Sequence, residues 1–205
     1  MSRKFLTGLT IAATLIGTAC VAAKTLDDHL AEVTSKTVEE VQEPVDVVEL
    51  EVEEWICPTC SPNEQYVLAK LQEYTPIDDR NALATIMGNI KSESKFNANI
   101  CEGGARVPYE RCHSGGYGLI QWTTTNRYKG LGNFASKYSC SPSELDCQVR
   151  YMINENQFQR ELSSFTIGGQ TVNQYMRPAY RWLGWGIKGY REQYAYDYSK
   201  KMILD

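Results

Sequence analysis

The chain has 205 residues, of which 42% are hydrophobic, and a formal net charge of −4 at pH 7. This length and composition suit one globular domain with appended segments and exclude a fully disordered chain. No nucleic-acid partner is expected, because the sequence has neither a dense basic run nor a nucleic-acid-binding motif.

Residues 1–23 have the pattern of an export signal. A short basic start is followed by an uncharged run over residues 5–23 that is rich in Leu, Ile, Ala and Thr. Small residues before Lys24 suit cleavage there, whereas the run is also long enough to remain as one transmembrane anchor. We therefore expect an exported protein, periplasmic or extracellular, whose residues 5–23 are either removed or retained in the membrane.

Residues 24–56 are predicted to form an acidic, disordered linker. From residue 24 to residue 54 there are eleven Asp and Glu, two Lys and no aromatic residue. Such a segment cannot bury enough apolar surface to fold. From residue 57 to residue 205 there are 17 Lys and Arg against 14 Asp and Glu, a balance of +3. The acidity of the chain thus belongs to the linker, and residues 57–205 are expected to form the folded domain.

Six cysteines follow the predicted signal, an even number that can pair completely in an oxidising compartment. Their spacing suggests three local disulfides, although six cysteines allow 15 connectivities. The suggested couples are Cys57 with Cys60, Cys101 with Cys112, and Cys140 with Cys147. Redox or zinc chemistry at the first couple is disfavoured, because an acidic segment precedes it in place of a strand and no second close pair follows. No metal site is expected.

The folded domain is expected to begin with two helices. The first is predicted at residues 63–74, after a Ser-Pro start, and the second follows Asp78 or Asp79, either of which can cap it. A further helix is predicted at residues 144–162. The many aromatic residues between positions 175 and 198 are expected to pack a final helix onto the core, with an extension of a sugar groove as the alternative.

Glu93 lies at the end of the apolar stripe of the second helix. Counting backward, Ile90, Ile86 and Leu83 share one face of a 3.6-residue helix with it. We therefore expect its carboxyl group to point toward the core, where desolvation disfavours the charged form. The group could then hold a proton near neutral pH, as a general acid must. The alternative is that the helix ends earlier and Glu93 is an ordinary solvated residue.

Residues 115–122 combine three glycines with Tyr117, Gln121 and Trp122. Glycines let a backbone approach a ligand closely, and flat aromatic faces stack on the apolar faces of sugar rings. Taken alone, the segment could equally be a turn with two aromatic residues in the core.

Taken together, the two segments resemble a pair of motifs in the lysozyme-like superfamily, which includes goose-type lysozymes and soluble lytic transglycosylases. The closer resemblance is to the phage tail lysozyme family, and it covers most of residues 67–202. The matching positions are Gly88, Asn89, Glu93, Ser94, Phe96 and Asn97, then Gly118, Leu119, Gln121, Trp122 and Arg127.

The resemblance implies a mostly α-helical, lysozyme-like domain with a loop-rich substrate groove stapled by disulfides. Glu93 matches the catalytic acid, which in that family acts on the glycan strands of peptidoglycan and here would cut the bond between N-acetylmuramic acid and N-acetylglucosamine. The expected substrate-binding residues are Ser94, Tyr117, Gln121, Trp122 and Arg127. No cofactor is implied. Virion tail proteins are the other expected partners, if the enzyme is virion-borne.

Two alternatives stay open at this point. Simple hydrolysis needs a second carboxylate, for which Glu102, Glu110 and Asp146 are candidates, whereas a lytic transglycosylase works with one glutamate. A non-catalytic module that only binds peptidoglycan, or only builds a phage tail, is the alternative from another functional class.

Overall fold

The computed structural model describes residues 53–113, 115–123 and 125–205. The predicted export signal and all but the last residues of the predicted linker lie outside these ranges. Within them, no helix is both long enough and apolar enough to cross a membrane.

The described part of the chain is mostly α-helical, as the sequence predicts. It contains seven α-helices and one short antiparallel pair of strands. The helices are α1 (Pro62–Tyr74), α2 (Arg80–Ser94), α3 (Thr125–Lys137), α4 (Leu145–Asn154), α5 (Asn156–Phe165), α6 (Val172–Leu183) and α7 (Arg191–Lys201). The strands are β1 (Trp55–Ile56) and β2 (Ile203–Leu204), and a single 3₁₀ turn spans Tyr109–Arg111.

The strand pair joins the two ends of the folded domain and corrects the predicted linker boundary. Trp55 pairs with Leu204, and its indole nitrogen donates to the carbonyl of Asp78 over 2.7 Å. Residues 55 and 56 therefore belong to the folded domain. The run of acidic residues ends at residue 54. Trp55, the aromatic residue that follows it, has partners within the folded domain.

Local signals account for where the first two helices begin. Ser61 and Glu64 form a capping box around the start of α1, and Pro62 takes the first helical position, where its missing N–H is not needed. The side chain of Asp79 accepts from the backbone N–H groups of Asn81 and Ala82, at 2.8 and 2.9 Å, and so caps α2.

Helix α2 is the centre of the domain, and α1, α6 and α7 all pack against it. Its side chains from Ala82 to Ile90 are buried throughout, not on one stripe only. The predicted helix at 144–162 is two helices in the structure, α4 and α5, with an extended residue, Glu155, between them. The sequence pattern did not predict this break, because Glu155 turns inward and its hydrogen-bond partners are distant in sequence.

Among the described residues, three disulfides form, and they join the couples that lie close together in sequence. The bond from Cys57 to Cys60 precedes α1, and the bond from Cys140 to Cys147 holds the start of α4. The bond from Cys101 to Cys112 closes the long loop that leads into the second motif.

Candidate functional site

The carboxylate of Glu93 meets an arginine from the other end of the domain. Arg191, the first residue of α7, forms an ion pair with Oε1 of Glu93, and both side chains are largely buried, with 10% and 15% of their surface exposed. The guanidinium also donates to the carbonyls of Ile187 and Lys188, at 2.8 and 3.0 Å. Its central carbon lies 5.0 Å from the centre of the Trp185 ring. Glu93 does turn inward, but its neighbour is a cation and not the apolar edge that the sequence predicted.

A glycine brings these two helices close enough for that contact. A β-carbon built on Gly88 would lie 2.4 Å from the backbone nitrogen of Ala195 and 2.8 Å from the carbonyl oxygen of Arg191. No side chain fits there, so α7 rests directly on the backbone of α2. The first turn of α7 is thereby placed over the last turns of α2, where Glu93 lies.

Ser94 ties the first motif to the second. Its hydroxyl donates to the carbonyl of Leu119 over 2.7 Å, and the residue is almost fully buried. The N–H of Leu119 donates in turn to the side chain of Gln148 over 2.7 Å. Gln148 fills the space over Gly118, which has a positive φ of 72° and no room for a β-carbon. The expected substrate contact of Ser94 is therefore corrected to an internal one, because its hydroxyl is used within the protein.

Tyr117 and Trp122, expected to stack on sugars, are both buried in the core. The hydroxyl of Tyr117 donates to Ser143, at 2.9 Å, and burial raises the pKa of that phenol. The indole nitrogen of Trp122 donates to Glu155 over 3.2 Å, and its ring packs against Tyr151. Neither ring has a face open to a ligand, so the stacking role is corrected to core packing.

Glu155 is a buried acceptor that the sequence analysis missed. Its carboxylate, 2% exposed, accepts from the indole nitrogens of Trp122 and Trp182 and from the guanidinium of Arg127. The expected substrate residue Arg127 thus has its guanidinium committed to an ion pair inside the protein. No local pattern marks Glu155, because its three donors lie 27 to 33 residues away from it in sequence.

An open cleft of about 540 Å³ contains Glu93. It is lined by Glu102, Gln121 and Thr123 from two loops, by Arg127 from α3, by Trp185 and Ile187 from the loop between α6 and α7, and by Arg191 of α7. Of the five expected substrate-binding residues, Gln121 and Arg127 line this cleft. The amide nitrogen of Gln121 donates to the carbonyl of Gly118 over 3.0 Å.

Trp185 is the indole that lines the cleft. It lies between Gly184 and Gly186 in the loop from α6 to α7, and it is only partly buried. A tryptophan flanked by glycines is poorly suited to a helix. The run Gly184, Trp185, Gly186 therefore indicates a loop residue that is separate from the aromatic residues of the final helix.

Among the three candidates for a second carboxylate, Glu102 lines the same cleft as Glu93. Its Oε2 accepts from the backbone N–H of Gly116 over 2.9 Å. Asp146 is instead bonded to Tyr66 and Arg150, and these hydrogen bonds, that of Tyr66 foremost, lower the pKa of its carboxyl group. Glu110 lies in the exposed 3₁₀ turn and does not line the cleft.

No group of three or more His, Cys, Asp or Glu side chains suited to holding a metal occurs in the described ranges. Comparison of the chain with curated proteins and with solved structures gave no match. The family model described as phage tail lysozyme matches residues 70–199. This match contains both motifs and every residue that lines the cleft, and we conclude that the chain belongs to the phage tail lysozyme family.

Proposed function

We propose that this protein cleaves the β-1,4 bond between N-acetylmuramic acid and N-acetylglucosamine in peptidoglycan, with Glu93 as the general acid. Family membership supports a lysozyme-like role in degrading peptidoglycan. The observation that supports the residue assignment is the position of Glu93, a largely buried carboxylate in a cleft lined by both motifs.

The ion pair with Arg191 engages only one of the two carboxylate oxygens of Glu93. Arg191 engages Oε1 of Glu93, and Oε2 accepts no hydrogen bond from any residue that the structure describes. Oε2 is then the atom that would hold the transferable proton. In the reaction it gives this proton to the bridging oxygen as the bond from that oxygen to the sugar carbon breaks, and the electron pair stays with the oxygen.

Hydrolysis is the outcome that Glu102 favours. A carboxylate at the side of the cleft can take a proton from water as the water oxygen bonds to the sugar carbon. If Glu102 has no such role, the sugar's own hydroxyl can close an anhydro ring and return its proton to Glu93. Mass analysis of the released fragments separates these products, because hydrolysis adds one water and ring closure adds none.

The deciding experiment compares the wild-type protein with Glu93→Gln on purified cell walls. The amide keeps the size of the side chain and an oxygen that can accept from Arg191, but it has no proton to transfer. Cleavage should fall by at least about 10²–10⁴-fold while binding to cell walls is retained. The melting temperatures of the two proteins show whether loss of the ion pair with Arg191 has destabilised the variant. Wild-type activity in a folded Glu93→Gln protein would leave the non-catalytic or tail-structural module as the better account.

We also propose that the protein is exported through residues 1–23 and reaches peptidoglycan outside the cytoplasm, alone or with virion tail proteins. The support is the sequence pattern of the leader and the family. Mass measurement of the mature protein would show whether the chain starts after residue 23 or keeps the leader as an anchor.

A further inference from the structure

A second hollow lies beside the cleft and shares one of its side chains. It measures about 450 Å³ and is lined by residues of α6 and of the loop that follows α6. Trp185 lines both this hollow and the cleft that contains Glu93. The hollow and the cleft therefore adjoin at this ring.

Three of the side chains around the hollow are cations: Arg177, Arg181 and Lys188. Arg181 is paired with Glu161 at 2.6 Å, and Lys188 is paired with Glu192. Arg177 is exposed and makes no ion pair or hydrogen bond with any part of the chain that the structure describes. Because Glu161 and Glu192 neutralise two of the three cations, the guanidinium of Arg177 is left without a counter-charge among the described residues.

Apart from Asn173, the rest of the lining is apolar or aromatic. Met176 and an exposed Tyr180 lie on α6, and the ring of Tyr180 meets the ring of Trp185 edge-on at 5.2 Å. The hollow therefore offers flat apolar surface next to a fork of N–H donors. A guanidinium matches a carboxylate in this geometry, with two parallel hydrogen bonds.

We propose that this basic hollow binds carboxylate groups of the peptide stems that peptidoglycan bears on its muramic acid residues. The inference rests on the proposed function, because a glycan strand in the cleft has its stems attached directly to the sugars beside the hollow. An uncharged glycan strand would make no use of these cations. The protein would then recognise the peptide-bearing polymer and not its sugar chain alone.

The test uses Glu93→Gln protein, so that binding is measured without cleavage. Its affinity is measured by calorimetry for a muropeptide with free stem carboxylates and for the same muropeptide with those carboxylates amidated. Adding Arg177→Gln should weaken binding of the free-carboxylate form roughly two- to fivefold, the range for an exposed ion pair. It should leave the amidated form unchanged, and the difference should shrink at high salt because salt screens exposed charges.

Arg160→Gln is the matched control. Arg160 is also an exposed arginine without a partner among the described residues, but it lies on α5 and does not line the hollow. This substitution should change neither affinity. Because both arginines are exposed, melting temperatures should stay equal and exclude an effect on folding.

Equal affinity of the Arg177→Gln and parent proteins for the free-carboxylate muropeptide would overturn the proposal. An effect of Arg177→Gln on a phosphate-bearing wall polymer, without one on the muropeptide, would overturn it too. Failure of the proposed function is seen separately, as absence of cell-wall cleavage by protein with intact Glu93. Stem binding that depends on Arg177 could persist in that case and would identify a binding module.

Discussion

Arg191 holds the carboxylate of Glu93 across 98 residues of sequence. The arginine is itself fixed by two backbone carbonyls and by the ring of Trp185, so it is a rigid partner and not a mobile surface charge. We interpret it as a positioning residue, which keeps one carboxylate oxygen occupied and leaves the other for proton transfer.

Arg191→Gln should therefore lower kcat on cell walls more than it raises KM. A misplaced catalytic group can cost about 10²-fold in rate, and Arg191→Lys should recover part of the loss by keeping the charge without the planar fork. The measurement is steady-state kinetics on solubilised peptidoglycan, with thermal unfolding as the control. Loss of one partner of a buried pair costs about 3–5 kcal/mol, and this partly exposed pair should stay at or below the lower end. A folded Arg191→Gln protein with unchanged kcat would remove Arg191 from the mechanism.

The second prediction concerns the close approach of α2 and α7 at Gly88. Gly88→Ala forces a methyl group against the backbone of Ala195, which cannot yield as a side chain could. Overpacking of this kind costs about 1–3 kcal/mol, or more where backbone must shift. Because the shift would also separate Arg191 from Glu93, activity should fall together with the melting temperature.

Gly186→Ala is the control for that experiment. A β-carbon on Gly186 would meet nothing within 4 Å, and the residue has no positive φ that only glycine favours. Its melting temperature should match that of the wild type. Equal stability of Gly88→Ala and Gly186→Ala would show that the two helices are not in backbone contact.

The third prediction separates two tryptophans that composition alone cannot distinguish. Trp122→Ala should destabilise the fold by about 3–5 kcal/mol, since it empties a buried ring site and leaves Glu155 without one of its donors. Trp185→Ala should leave most of the stability intact and weaken glycan binding, by about 0.5–1.5 kcal/mol for stacking beyond the lost contact area. Chemical denaturation and oligosaccharide binding measure the two effects. The reverse pattern would restore Trp122 as the sugar platform.

Local signals in the sequence predicted most of what is local in this fold. Asp79 could be named as one of two possible caps of α2, and the disulfide couples could be chosen, because capping and short loops depend on residues a few positions apart. Family motifs likewise selected Glu93. These features need no knowledge of how distant segments meet.

The environment of the site could not be predicted in the same way. Three of its side chains, Arg191, Glu155 and Gln148, form hydrogen bonds with residues many positions away in sequence. Nothing in the sequence around them distinguishes them from ordinary surface residues. The same limit explains the wrong role given to Trp122. An aromatic residue beside a glycine-rich turn suits a core or a groove equally well, and only its contacts with Tyr151 and Glu155 decide for the core.

The last prediction concerns stability in acid and rests on Glu64, which joins α1 to α2 and α7. Burial by itself would raise the pKa of this carboxyl group. Hydrogen bonds from Tyr198, from the backbone and side chain of Ser61, and from Lys91 outweigh burial and lower the pKa from 4.5 to about 2. The Lys91 ammonium lies 3.2 Å from Glu64 Oε1.

The sign of the effect follows from the lowered pKa. Because the folded protein holds the proton of Glu64 less tightly than the unfolded chain, the ionised group contributes stability that is fully present above pH 4.5 and is lost as the pH falls toward 2. The contribution is at most about 3 kcal/mol, and solvent screening reduces it because the side chain is partly exposed.

Chemical denaturation between pH 2 and pH 6 should show a steeper loss for the wild type than for Glu64→Gln, which has no proton to gain. Glu73→Gln is the control on the same helix, where the carboxylate is exposed and forms an ion pair with Lys70, and its curve should follow that of the wild type. Parallel curves for all three proteins would show that the contacts from Tyr198 and Lys91 do not stabilise the ionised form of Glu64.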